Sequence, residues 1–227
     1  MALPEDLSVN RAECRQGISH FRLWLKVLGA GSLLLILLLT VILPLINRWI
    51  VQNIPSREEA IDWIQLTSLL VLPILVCVGP ILIARPFLEE PYCELLRQIT
   101  GATRQRALQV GSVFTFFYSL TLLILLVYQK IGYIRPAFSA ALSGYLLFLF
   151  GLTYWVIVQS KSSSLSFFTL FAFSIIGFLY HRDLPFFPFL GNINRMDLAA
   201  VLPRLPPFVI SAVLLFILAE HRETVSV

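Results

Sequence analysis

Six runs of this chain hold no Asp, Glu, Lys or Arg, and that pattern limits the fold more than any motif does. A helix must offer about 20 consecutive apolar residues to cross a bilayer. Inside hydrocarbon a helix also satisfies its own backbone donors and acceptors, which an open strand or loop cannot do. Four runs reach that length: 27–46, 64–84, 107–128 and 137–158. A fifth, 165–180, is short, and a sixth closes the apolar part of the chain at 205–219. The sixth either recruits the stretch from Leu198 to Leu205, with Pro203 and Arg204 inside it, or follows a re-entrant or interfacial segment. With 58% hydrophobic and 13% charged residues, the balance of a water-soluble domain is excluded. The expected fold is an all-α polytopic integral membrane protein of about six transmembrane helices. It divides into a cytoplasmic lead at 1–26, one transmembrane domain at 27–219 and a cytoplasmic tail at 220–227.

Within the lead, Ile18, Phe21, Trp24, Leu25 and Leu28 recur at helical spacing, which predicts a short interfacial helix before the first span. With the N-terminus inside, Arg11, Arg15, Arg22 and Lys26 fall on the same side as Arg85, Arg97, Arg104 and Arg106. These are the two densest basic clusters, so the positive-inside rule places both termini in the cytoplasm. The net charge of +4 is spread over helix ends and loops. Such a distribution suits anionic lipid headgroups and gives no surface for nucleic acid.

The one long polar interruption is "ARPFLEEPYCELLRQITGATRQR", Ala84 to Arg106. Pro91 suits the first turn of a helix and Gly101 the position just past its end. Between them Tyr92, Leu95, Leu96 and Ile99 share one face, leaving Glu94, Arg97 and Gln98 on the other. This predicts an amphipathic cytoplasmic helix between the second and third spans, with Glu89, Glu90 and Glu94 at its start. Arg104 and Arg106 follow its end, where a helix dipole favours positive charge. The candidate partner-docking residues are Glu90, Tyr92, Glu94, Arg97, Gly101, Arg104 and Arg106.

The order of elements resembles that of six-span ABC exporter permeases, and Glu94 to Gly111 resembles the cytoplasmic coupling loop of ABC permeases. Leu95 and Leu96 stand where that family carries a pair of alanines. The resemblance implies that Glu94, Gly101, Ala102, Thr103 and Arg104 would meet a cytoplasmic ATPase subunit.

In the spans, Ser112, Thr115 and Ser119 form a stripe on the third, and Ala140 and Gly144 a small pair on the fourth. These are the helix-packing candidates, since small residues let membrane helices approach closely. Pro73 and the Gly79–Pro80 pair predict bends in the second span. No HExxH, nucleophile triad, Walker motif or metal-ligand spacing is present, so no catalytic residue, cofactor or metal is expected. Glu89, Glu90, His181 and His221 lack the spacing of intramembrane metalloprotease ligands, and Cys14, Cys77 and Cys93 match no zinc or disulfide pattern. Three readings follow. The first is a non-catalytic subunit or assembly factor of a larger membrane complex, held in the lipid bilayer among other protein subunits. The second is a permease subunit for an apolar or lipid-like cargo, and the third a membrane-embedded enzyme acting on lipid or peptide.

Overall fold

A computed structural model describes residues 33–88, 103–180 and 198–225. Every element among them is helical. We number the main helices α1 (Leu33–Asn53), α2 (Arg57–Leu88), α3 (Thr103–Ile131), α4 (Pro136–Ser160), α5 (Ser163–Tyr180) and α6 (Leu205–Val225). A short turn of helix, Leu198–Val201, and a 3-10 turn, Leu202–Arg204, lead into α6. Five helical stretches are long and apolar enough to cross a membrane, the last of them Leu198–His221.

Helix limits differ from the hydropathy limits where a polar residue faces inward. The first run was expected to end at Ile46, but α1 continues to Asn53. Asn47, which resembles a boundary in sequence, is buried, so the helix does not stop for it. Earlier in α1 a π-turn covers Leu38–Ile42, and the Leu43 N–H reaches the Leu38 carbonyl. Pro44 follows and offers no N–H, which leaves the preceding turn free to widen. Helix α2 runs through Pro73 and Pro80 without a break in its helical assignment. The stretch from Leu198 joins α6 in one helical path of 24 residues, so the sixth run gains the length it lacks alone. The short helix is α5, whose 18 residues rise about 27 Å at 1.5 Å each, a little under the thickness of the hydrocarbon.

Two turns show why the chain reverses where it does. Gly132 has φ +82° after the end of α3, its N–H reaches the Gln129 carbonyl at 3.1 Å, and the Tyr133 N–H reaches the Tyr128 carbonyl at 2.9 Å. This paired closure satisfies carbonyls that the helix end would leave open, and it needs a left-handed residue. At the other end of α4, Lys161 takes that conformation with φ 51°.

Helix α4 is the centre of the bundle: two thirds of its apolar window is buried, and it packs on α2, α3, α5 and most extensively on α6. Lipid tails are as apolar as leucine, so close packing and hydrogen bonds between helices hold such a bundle rather than hydrophobic burial. Both occur here. Gly151 lies so near α6 that a Cβ there would stand 2.7 Å from the Ala212 carbonyl oxygen, and one at Gly144 would meet Leu205 at 2.8 Å. The Tyr145 hydroxyl donates to the Phe173 carbonyl on α5 at 2.7 Å, and Ser166 returns a bond to the Thr153 carbonyl at 2.7 Å. On the lipid side, Leu108, Leu123, Phe168, Ile210 and Leu214 are exposed.

Candidate functional site

Helix α3 carries both features that point beyond simple packing: a charge tied inward at one end and an open row of small residues along its outer face. At the start of α3 Arg106 is 2% exposed. Its Nη2 donates to Glu220 Oε1 on α6 at 2.9 Å, and its Nε donates to the Tyr154 hydroxyl on α4 at 3.1 Å. The Tyr154 hydroxyl in turn donates to Glu220 Oε1. The guanidinium also lies over the Tyr154 ring, 5.9 Å from its centroid. Three helices are thus joined by a closed set of charge-assisted bonds, which are roughly twice as strong as neutral ones.

An aromatic column supports this cluster from beneath. Tyr154 stacks on Phe216 of α6 at 4.8 Å, Phe150 lies 6.0 Å from Phe216, and Phe150 stacks on Phe114 of α3 at 3.9 Å. The rings fix the Tyr154 hydroxyl where both charges reach it. A buried arginine is tolerated at a span end only when a carboxylate compensates it, and Glu220 does so while its own side chain remains 23% exposed.

The sequence candidates divide between these features. Arg106, expected at a docking surface, points into the bundle. Glu90, Tyr92, Glu94, Arg97 and Gly101 lie outside the described residues, and of Arg104 only the backbone, in the first turn of α3, is described. Gly144 lies against Leu205 of α6, and Ala140 is partly buried against the core. Ser112, Thr115 and Ser119 are exposed, so among the described residues they pack against nothing substantial. Ser112 donates to the Gln109 carbonyl and Thr115 to the Gly111 carbonyl, both at 2.8 Å. A Cβ added at Gly111 would meet no atom within 4 Å. Among the described residues, Gly111, Thr115 and Ser119 therefore form an uncovered row at four-residue spacing, with Ser112 beside it.

Sequence reasoning missed Tyr154, Glu220 and Gly151. Tyr154 and Glu220 are 66 positions apart and Arg106 and Glu220 are 114 apart, so no local pattern joins them. Gly151 had a signal, since it follows Gly144 by two helical turns and so continues the same face. Among the described residues no group of His, Cys, Asp and Glu could hold a metal ion. Compared with protein-family models, with curated proteins and with solved structures, the chain matches none.

Proposed function

We propose that this protein is a non-catalytic integral membrane subunit or assembly factor of a larger membrane complex, and that it receives a partner's transmembrane helix on the outer face of α3. The carrying observation is a contrast between its glycines. Gly79 is covered by the Phe117 ring, Gly144 by Leu205 and Gly151 by the α6 backbone, whereas Gly111 opens on free space. Small residues four apart allow membrane helices to approach closely, and the exposed hydroxyls of Ser112, Thr115 and Ser119 can bond across such a contact. The remaining exposed residues of α3, including Leu108, Leu123 and Leu126, are suited to lipid or to the flanks of the same contact.

The proposal carries a topology of six spans with both termini in the cytoplasm, α5 being the short one. It also keeps the loop between α2 and α3 as a cytoplasmic docking element. Arg106, the fourth residue of α3, ties the start of that helix to α4 and α6 through Tyr154 and Glu220.

Site-specific photo-crosslinking in the native membrane tests this reading. A photoreactive residue at Ser112, Thr115 or Ser119 should give one discrete adduct with an integral membrane protein. The same residue at Phe168, which is 71% exposed on α5, should give lipid adducts or none. Equal labelling from both faces would defeat the proposal. An adduct from the 91–106 loop to a soluble ATPase would favour the permease reading instead.

A further inference from the structure

We propose that Asn47, Gln65, Ser68 and Tyr128 form a hydration site inside the bundle, in which ordered water bridges α1, α2 and α3. Asn47 is 3% exposed, Gln65 and Ser68 are fully buried and Tyr128 is 8% exposed. Both amide atoms of Asn47, both of Gln65, the Ser68 hydroxyl and the Tyr128 hydroxyl make no hydrogen bond among the described residues. The Tyr128 hydroxyl lies near the Asn47 amide, but the geometry falls short of a bond.

Helix geometry brings the four together. Gly79 of α2 and Phe117 of α3 mark the contact line, the Phe117 ring standing 2.9 Å from where a Gly79 Cβ would be. Ser68 and Tyr128 each lie three turns from that contact, in the same direction along the antiparallel pair. At 1.5 Å and 100° per residue, both sit about 16 Å away and about 20° off the contact line. Gln65 is one further turn along, about 40° off on the other side. By this helical geometry, Ser68 and Gln65 lie on the α3 side of α2, at the level of Tyr128. Asn47 comes in from α1, which folds back on α2 through the turn at 54–56.

The mixture of atoms selects the occupant. Each buried polar group without a partner costs about 1–3 kcal/mol, so six such atoms in one place would be expensive if dry. A cation would satisfy the oxygens and leave the Asn47 and Gln65 amide nitrogens, which are donors, unmatched. Water donates and accepts, and buried waters typically make about three bonds to groups of this kind.

Radiolytic hydroxyl-radical footprinting of the full chain in lipid nanodiscs tests the proposal, because radicals form at bound water and oxidise the nearest side chains. Tyr145 is the dry reference, since it is 1% exposed and its hydroxyl is already bonded to Phe173. Tyr128 is expected to be oxidised several-fold faster than Tyr145. In the Asn47→Leu/Gln65→Leu double variant its rate should fall to that of Tyr145. Gln65→Met, closer in shape, should lower it in part and serves if the double variant does not fold. Tyr128 labelled no faster than Tyr145 would overturn the proposal. So would fast labelling that persists in these variants, since that would come from bulk solvent.

Discussion

Replacing Gly151 with alanine should destabilise the bundle, and the contacts say by how much relative to the other glycines. The added methyl would lie 2.7 Å from the Ala212 carbonyl oxygen and 2.8 Å from its Cα, both backbone atoms of α6 that cannot rotate away. Ordinary contact begins near 3.4 Å, so the two helices must part by about 0.7 Å at their most extensive interface. A gap of that size forfeits about a quarter to a half of the dispersion energy of the atoms it separates. Overpacking of this kind costs about 1–3 kcal/mol, and the gain of about 1 kcal/mol from replacing a mid-helix glycine offsets part of it. Gly144→Ala should cost less, because the obstacle is the end of the Leu205 side chain. Gly111→Ala meets nothing and should leave the isolated protein unchanged or slightly more stable. Thermal denaturation in one detergent, read by circular dichroism, gives the order. Gly151→Ala melting with Gly111→Ala would refute the close α4–α6 contact.

Removing one partner of the buried ion pair should be costly while removing both is mild. Glu220→Gln should destabilise by about 2–3 kcal/mol, at or below the range for a wholly buried pair because Glu220 is 23% exposed. The double change Arg106→Met/Glu220→Leu should recover most of that loss, measured by denaturant titration in micelles. Tyr154→Phe deletes a hydroxyl that bonds both charges and should cost about 1–3 kcal/mol with the aromatic stacking retained, which the same titration reads. Cys77 has no exposed surface, so a maleimide should fail to label it in the native protein and should react once the bundle is unfolded in hot detergent. Native labelling at that position would mean that α2 is not packed as described.

The amount of this fold that could be read in advance follows from how locally each feature is encoded. Helix α4 spans Pro136–Ser160 against an expected 137–158, because its hydropathy is continuous and Pro136 and Lys161 bound it. Helix α1 was harder. Its last turns contain Asn47 and Arg48, which hydropathy counts as an end, while the structure turns Asn47 inward and continues. The stripe of Ser112, Thr115 and Ser119 could be seen as a face, but spacing cannot say whether a face meets its own chain or another. The Arg106 charge was legible as a span-end residue. Its direction was not, because the carboxylate that draws it inward is supplied by the far end of the chain.

The most direct test of the functional proposal is native mass spectrometry of the protein released from its own membrane in a lipid-preserving carrier, beside the Thr115→Phe variant. Thr115 is exposed, so this change should leave the isolated bundle folded while blocking close approach along the Gly111–Ser119 row. The wild-type chain is expected in a stoichiometric complex with at least one other integral membrane protein, and the variant is expected as the free chain. A wild-type protein recovered alone, or a complex that Thr115→Phe leaves intact, would contradict the proposal.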